Sequence, residues 1–384
     1  ARLPDNLRLA GLCHAKCRGV LAVTNDDEAN LAIAIAVRLL NPDIPVIARA
    51  EQKSVAANMA SFGTDHIINP YERFADSLAL AVAAPERFRL IELLTSLPET
   101  PLAEPHQPPH GHWILCGYGR FGHAVAERLR NTGIRLTIID PAAGDADHDI
   151  IGDGTEASTL RQAGISEARG IVAGSNNDIN NLSIAVTAHE LNPELFVVAR
   201  QNQAANNALF AAYGADFTVL PSRVIAQECI ALLTAPLLAR FLERVQQLDE
   251  TACRELVERL LAACSGQTPV VWDNRLNAAE APASWQALMH GRTIELGSLL
   301  ADAADRQRRL PVVPLLVERG TDYLLLPADD FTLQAGDQLL FASPLAAQRE
   351  LELTLRNANE LDYVLTGNDH SGSLLGKLLA GRTA

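Results

Sequence analysis

The stretch from residue 112 to residue 140 constrains the fold of this chain more than any other. It runs through an apolar segment, a glycine-rich turn, a helical pattern and a second apolar segment. The turn has the spacing Gly117-x-Gly119-x-x-Gly122, and Asp140 follows the last glycine by 18 residues. This order and spacing are typical of the first half of a dinucleotide-binding α/β sheet.

Each residue of this pattern has a physical role. Gly117 permits the tight turn, Gly119 lets a phosphate approach the backbone, and Gly122 lets the helix pack closely on the strand. The helix N-terminus offers free N–H groups and a partial positive charge to that phosphate. Asp140 can accept hydrogen bonds from both ribose hydroxyls and would repel a 2′-phosphate. The alternative is a degenerate sheet of the same type whose site is empty.

Charge and composition exclude several classes of protein. A chain of 384 residues is expected to hold two or three domains. Its net charge of −14 argues against nucleic acid and anionic membrane surfaces as partners, because both need a basic patch. No apolar run reaches the roughly 18 residues of a membrane span, and residues 1–20 lack the apolar stretch of a secretory signal. The six cysteines show no disulfide spacing and are expected to be free thiols in a reducing cytoplasm.

Three groups of residues have side chains that could ligate a metal. We interpret the histidines and acids as solvated and the thiols as free, so no metal site is predicted. The groups are Cys13, His14 and Cys17; His106, His110 and His112; and Asp145, Asp147 and Asp149.

The sequence contains an internal duplication with an offset of 151 residues. Residues 20–49 and 171–200 align without a gap and are identical at 13 of 30 positions. The shared positions include Asn30 and its counterpart Asn181 in the segment after the strand. Such a repeat indicates two copies of one structural unit.

The two copies differ in extent. The second copy is complete, whereas the first begins near the equivalent of Ser158 and lacks two strands and the glycine-rich loop. A parallel sheet without its central strands would expose apolar faces and edges. We therefore expect the chain to be a fragment of a longer protein, with a half-domain as the alternative.

The remaining segments connect and follow the copies. Residues 97–111 are rich in proline and are expected to form an extended linker. A long apolar helix is predicted over 223–245 with a kink or break at Pro236, and a second helix over 250–264. This pair is interpreted as an arm that packs on a neighbour, with a core helix of the same domain as the alternative. Residues 291–354 alternate short strands and turns before a closing helix, which predicts a small β/α domain.

The second copy resembles the RCK family, the Trk-type (KTN) nucleotide-binding domains that regulate potassium channels and transporters. The C-terminal unit resembles the family's C-terminal subdomain through Pro327, Leu333, Gly336 and Asp337. The motifs that carry the resemblance in the second copy are residues 117–122, Asp140, 152–155, 160–165, 175–178, Asn181-Leu182, Asn192-Pro193 and 197–200.

The resemblance implies a set of cofactor-binding residues. The loop would cradle phosphates, Asp140 would hold the adenosine ribose, Arg120 would reach a phosphate and Asp153 would lie near the adenine. The implied site consists of Gly117, Tyr118, Gly119, Arg120, Phe121, Gly122, Asp140, Asp153, Ser175, Asn176 and Arg200. Their counterparts in the first copy include Thr24, Asn25 and Arg49. The implied cofactor is NAD or NADH, with ADP or ATP as the alternative.

The resemblance also implies an organisation. The fold class is α/β, with Rossmann-like doubly wound parallel sheets in tandem and a small C-terminal β/α domain. The predicted segments are a partial first copy, a linker, a complete second copy with its arm, a helical connection, a C-type subdomain and a tail. They span residues 1–96, 97–111, 112–245, 246–290, 291–356 and 357–384.

Three functions are weighed for this organisation. The favoured one is a nucleotide-sensing gating module of a potassium channel or uptake system, on the cytoplasmic side of the membrane. The implied partner is a pore or transporter subunit, expected upstream in the same full-length chain, and the implied assembly is a homo-oligomeric ring of paired lobes. The alternatives are an NAD-dependent oxidoreductase and a structural oligomerisation domain. No proton-donating constellation of the kind an oxidoreductase needs is evident in the sequence.

Overall fold

The computed structural model describes residues 3–101, 107–142 and 149–368. The described part of the chain forms two compact units. The first unit is drawn from residues 1–88 and 104–230, and the second from 89–103 and 231–384. Both copies of the duplicated segment therefore lie in the first unit.

The first copy forms a small parallel sheet. Its three strands are in the order β1-β2-β3, with β2 in the centre and completely buried. The elements in chain order are α1 (Leu3–Leu9), β1 (Val20–Ala22), α2 (Asp27–Leu40), β2 (Val46–Arg49), α3 (Lys53–Ser61), β3 (His66–Ile68), α4 (Pro70–Ala83) and α5 (Pro85–Thr95).

The second copy forms a doubly wound parallel sheet, which confirms the predicted α/β class. The strand order is β6-β5-β4-β7-β8-β9, and it reverses between β4 and β7. The elements are β4 (His112–Cys116), α6 (Arg120–Asn131), β5 (Arg135–Asp140), β6 (Ile150–Ile151), α7 (Ala157–Gln162), β7 (Gly170–Ala173), α8 (Asp178–Leu191), β8 (Phe196–Arg200), α9 (Asn207–Tyr213), β9 (Phe217–Val219) and α10 (Pro221–Thr234). Sheets of this kind bind ligands at the strand ends where the order reverses.

The two copies share a hydrophobic core. Helix α4 of the first copy packs on α6 of the second, and buried side chains from both helices form one cluster with strands β4 and β5. The ring of Phe74 stacks on that of Phe121 with centroids 5.6 Å apart. Buried aromatic contacts of this kind stabilise the packing by about 0.5–1.5 kcal/mol beyond their area, so the copies are held together by more than surface contacts.

The duplication is repeated in the hydrogen bonds. Asp65 accepts a hydrogen bond from the Val46 amide at 2.7 Å, and Asp216 accepts one from the Val197 amide at 2.7 Å. The N-terminal ends of β2 and β8 are thus tied down in the same way, as expected for two copies of one unit.

The second unit is built around an antiparallel sheet with the strand order β10-β13-β11-β12. Trp272 of β10 lies opposite Phe341 of β13, and their ring centroids are 4.9 Å apart. The elements are α11 (Pro236–Arg244), α12 (Glu250–Ala263), β10 (Val270–Arg275), α13 (Pro282–Met289), α14 (Leu296–Leu299), β11 (Val313–Arg319), β12 (Asp322–Leu325), β13 (Gln338–Ser343), α15 (Leu345–Arg356) and α16 (Ala358–Thr366).

The predicted break at Pro236 is present, since α10 ends at Thr234 and α11 begins at the proline. In the arm that was predicted to pack on a neighbour, α11 and α12 bury Leu238, Phe241 and other apolar side chains in one core with the antiparallel sheet. These helices follow the alternative, a core position in the same unit, because their apolar faces cover that sheet.

Two predictions for the second unit are wrong. Residues 246–290 are not only a helical connection, because strand β10 lies in this range and pairs with β13 over six residues. Residues from 357 onward were predicted as a tail, yet α16 buries Leu361 and Val364 in the core of this unit. Strand β10 and helix α16 are held in this unit by the apolar side chains that they bury.

Candidate nucleotide-binding site

Three glycines shape the loop between β4 and α6, for different reasons. Gly117 has a φ of +96°, and a Cβ there would lie 3.1 Å from the backbone nitrogen of Ser175. A Cβ on Gly122 would lie 2.0 Å from the carbonyl oxygen of Gly117, so the close contact of helix and loop requires glycine. A Cβ on Gly119 would meet no atom within 4 Å. The fold therefore requires the first and last glycine, whereas the open face at Gly119 is space that a ligand could occupy.

The predicted acid lies against this loop. One carboxylate oxygen of Asp140 accepts a hydrogen bond from the backbone N–H of Tyr118 at 2.6 Å, and the other accepts one from Ala142 at 2.8 Å. Asp140 ends β5, which pairs in parallel with β4, so the acid and the glycine-rich loop meet at one edge of the sheet. The two features expected to grip a phosphate and a ribose thus face the same region.

The aromatic residues of the loop pack into the protein core and so support the loop backbone. Phe121 and Tyr118 are buried in the core that the two copies share, and the Tyr118 ring lies on the exposed His123 ring with centroids 3.8 Å apart. Tyr118 and Phe121 therefore position the loop backbone, and contact with a ligand through their side chains is not needed for that role.

Residue Asn181 fixes the ends of the next two strands, and sequence reasoning gave it no role in the site. Its side-chain oxygen accepts a hydrogen bond from the Ser175 N–H at 2.8 Å. Its amide nitrogen donates to the carbonyls of Ser175 at 2.9 Å and Arg200 at 2.7 Å. Asn181 is completely buried, so these bonds hold Ser175 and Arg200 beside each other at the ends of β7 and β8. Asn176, the following residue, is exposed.

Among the described residues, no carboxylate forms a direct ion pair with Arg200, although the charges of Glu51 and Asp178 act on it from further away. Its Nη2 donates to the hydroxyl of Tyr71 at 3.1 Å and its Nη1 to the carbonyl of Gly174 at 3.3 Å. The guanidinium lies 5.1 Å from the centre of the Phe121 ring, and its buried Nε has no hydrogen-bond partner among the residues described. Burial lowers the pKa of Arg200. A half-buried cation without a direct ion pair favours an anionic ligand, because burial of a charge is costly unless an opposite charge offsets it.

Arg120 is exposed at the first residue of α6 and contacts the first copy. Its Nη1 lies 3.0 Å from a carboxylate oxygen of Glu51. Glu51 and Tyr71, both from the first copy, thus contact the two arginines of the predicted site. Sequence reasoning missed both residues, because only the packing of the first copy on the second brings them to this site.

Asp153 is exposed two residues after β6, and its carboxylate accepts a hydrogen bond from the Thr155 N–H at 2.9 Å. Since Ile151 of β6 pairs with Asp140 of β5, Asp153 extends the same sheet edge on the side of the acid. Asp153 therefore lies at the end of the site opposite to Arg200.

A cleft of about 260 Å³ opens beside the N-terminal half of α6, between the two copies. Most of the side chains that line it are polar or charged, and Arg120, the first residue of α6, is among them. Its lining residues are Glu51, Gln52, Lys53, Asn69, Tyr71, Glu72, Arg120, His123, Ala124 and Glu127.

The described residues contain no group of three or more histidine, cysteine or acidic side chains that could hold a metal ion. Of the metal candidates in the sequence, His106, Asp145 and Asp147 lie outside the described residues. No helix in the described part of the chain has the length and apolarity needed to cross a membrane.

Comparisons with known proteins agree with this architecture. The TrkA-N domain profile matches residues 2–70 and 113–221. Potassium channel protein 1 of Methanocaldococcus jannaschii is 29% identical over 150 residues, which are 37% of this chain and 45% of that protein. The TrkA homolog of the Trk potassium uptake system in Methanothermobacter thermautotrophicus is 31% identical over 135 residues, 33% of this chain and 62% of that protein. The chain thus spans less than two thirds of either relative.

Among solved structures, the GsuK channel bound to NAD has a TM-score of 0.50 and 19% identity, over 92% of this chain and 70% of that one. This likeness shows the fold. The profile matches lie on the two copies of the duplicated segment, so both copies are similar to the TrkA-N domain.

Proposed function

We propose that the second copy binds NAD or NADH, with ADP or ATP as the alternative, at the strand ends around Gly119. The observation that carries the proposal is the hydrogen bond between Asp140 and the Tyr118 amide, which joins the acid to the glycine-rich loop. A dinucleotide needs both features within one site, amide groups for its phosphates and an acid for its ribose.

The residues of the predicted site have separate roles in holding the nucleotide. The loop around Gly119 and the N-terminus of α6 hold the phosphates, and Arg120 and Arg200 balance their charge. Asp140 exchanges its bond with the Tyr118 amide for bonds with the ribose hydroxyls. Asp153 lies on the side where the adenine would extend. Ser175 and Asn176 line the far wall at the end of β7.

The proposed role of this binding is regulatory. The matched relatives are a potassium channel protein and a Trk-type potassium uptake protein, and GsuK, which shares the fold, is a channel solved with NAD. We infer that the chain is the nucleotide-sensing module of a potassium channel or uptake system on the cytoplasmic side of the membrane. Its partner would be a membrane pore or transporter subunit, and its lobes would pair with those of further copies. Nucleotide would shift the gate by its differential affinity for two shapes of the module.

Thermal unfolding of the purified chain tests the binding step. A ligand at 100 times its Kd stabilises a folded protein by about 2.7 kcal/mol, so NAD, NADH, ADP and ATP should each be scanned for a rise in Tm. The proposal expects at least one nucleotide to raise the Tm of the parent and to raise that of Asp140→Ala much less. A parent whose Tm responds to none of them contradicts the proposal.

Two further measurements test the role. Potassium flux through the full-length protein in liposomes should change when the bound nucleotide is added. Cofactor oxidation or reduction by the purified chain, followed at 340 nm across candidate substrates, would instead support the oxidoreductase alternative.

A further inference from the structure

The first copy contributes an anion to the site of the second copy. Glu51 follows β2 and reaches across the cleft, where one carboxylate oxygen lies 3.0 Å from Nη1 of Arg120. The other oxygen pairs with Arg49, and the negative charge of Glu51 adds to the effect of burial in raising the pKa of Tyr71. Glu51 therefore occupies one face of the arginine that opens the phosphate-binding helix.

The position of Glu51 is fixed by its backbone. The N–H groups of Glu51 and Gln52 both donate to the carboxylate of Asp27, each at 2.9 Å. The side chain of Glu51 is only 10% exposed, whereas that of Arg120 is 59% exposed. Arg120 is thus the more exposed partner of the pair, and a movement of its side chain away from Glu51 would leave the buried contacts of the first copy in place.

Three arginines lie near the Glu51 carboxylate. Arg49 and Arg120 both pair with Glu51, and the charge of Glu51 also acts on Arg200, which donates to the Tyr71 hydroxyl. Among the described residues, Arg120 pairs with Glu51 alone, and no carboxylate pairs directly with Arg200. A phosphate offers these arginines the same kind of oxygen ligand as Glu51, with more charge.

We propose that Glu51 of the first copy is an internal competitor for the phosphate of the nucleotide that the second copy binds, and that nucleotide binding transfers Arg120 from Glu51 to the phosphate. This inference rests on the proposed function. Its consequence is that the first copy lowers nucleotide affinity, and that binding releases one contact between the copies. The copies remain joined, because the shared core of α4 and α6 is not part of the exchange.

The test compares the NAD affinity of parent and variants by isothermal titration calorimetry, with ADP as a second probe. Glu51→Gln keeps an oxygen acceptor for Arg49 but removes the competing charge, so it should bind about fivefold more tightly. Glu51→Asp, which withdraws the carboxylate by one methylene, should also bind more tightly and serves if the first variant does not fold. Circular dichroism checks the fold of each.

A matched control comes from another contact between the copies. Asp76 pairs with Arg128 at 2.5 Å, further along α6 and away from the loop. Asp76→Asn removes the same charge from the same copy and should leave the affinity unchanged, since Arg128 does not line the site.

A double-mutant cycle tests whether Glu51 acts through Arg120. In an Arg120→Ala background, Glu51→Gln should no longer change the affinity. The inference is overturned if Glu51→Gln and Glu51→Asp bind no more tightly than the parent, or if the gain persists without Arg120. A parent that binds neither probe overturns the proposed function itself, whereas a parent that binds without any gain in the variants overturns only the role of Glu51.

Discussion

Separate replacement of Gly119 and Gly122 by alanine tests which of the two glycines the fold requires and which one the ligand requires. The two residues lie in one loop and receive the same methyl group. A Cβ at Gly122 would lie 2.0 Å from the Gly117 carbonyl oxygen, and a Cβ at Gly119 would meet nothing within 4 Å. Gly119 has a φ of −76°, which alanine adopts without strain.

The expected changes in the free energy of unfolding and in NAD affinity follow from these contacts. Gly122→Ala overpacks a backbone contact, which typically costs about 1–3 kcal/mol and outweighs the roughly 1 kcal/mol that alanine gains over glycine in a helix. Gly119→Ala changes only an exposed helix cap, which should cost less than about 1 kcal/mol. In the ligand complex, however, its methyl group would occupy the phosphate position. Loss of one hydrogen bond to a charged phosphate corresponds to about 1.5–3 kcal/mol, or roughly 10- to 150-fold in Kd.

The assay pairs thermal unfolding by circular dichroism with calorimetric titration of NAD. Gly122→Ala should lower the Tm, and Gly119→Ala should keep a Tm near that of the parent while losing NAD affinity. The reasoning is refuted if Gly119→Ala binds NAD as tightly as the parent, or if Gly122→Ala is as stable as the parent.

Three other substitutions or treatments have defined outcomes. Asn181→Leu leaves the strand-end groups that it bonds without partners, so urea unfolding should show a loss of about 2–4 kcal/mol; an unchanged midpoint would contradict its role. In Arg319→Leu, the buried Asp337 loses the arginine that contacts it through two hydrogen bonds of 2.8 Å, so urea unfolding should show a loss of about 3–5 kcal/mol in the free energy of unfolding. The double variant with Asp337→Leu should recover part of that loss. Burial raises the pKa of Cys116 to about 12, so iodoacetamide at pH 8 should label the exposed Cys13 and leave Cys116 unmodified until the chain unfolds; mass spectrometry that finds rapid labelling of Cys116 would be contrary to its burial.

Hydrophobic periodicity and glycine spacing predicted the α/β class and most elements of the two copies. The strand, turn and helix around Gly119 have strong local signals, because buried parallel strands are apolar throughout and the turn demands glycine. The break at Pro236 was equally local, since proline cannot continue the hydrogen bonding of a helix.

Elements with weak local signals were missed. Strand β10 alternates poorly because the polar Asn274 is buried in it, and its pairing partner is more than 60 residues away in the sequence. Helix α16 buries only Leu361 and Val364 on its inner face, so its sequence resembles that of a polar tail. Both elements are specified by tertiary contacts rather than by their own residues.

The candidate site likewise combines a feature that the sequence predicts with contacts that only the tertiary structure creates. The position of Asp140 beside the loop could be predicted, because both sit at the ends of neighbouring strands. The contacts of Arg120 with Glu51 and of Arg200 with Tyr71 could not, because they depend on how one copy packs on the other.

The central claim is that amide groups of the loop hold a phosphate while Asp140 holds the adenosine ribose. Calorimetric titration of the parent chain and of Asp140→Ala with NAD and with NADP tests it most directly, since the two cofactors differ only by a 2′-phosphate. The account predicts that the parent binds NAD and discriminates strongly against NADP, and that Asp140→Ala loses NAD affinity together with most of this discrimination. A parent that binds no NAD, or that binds both cofactors equally, would contradict it.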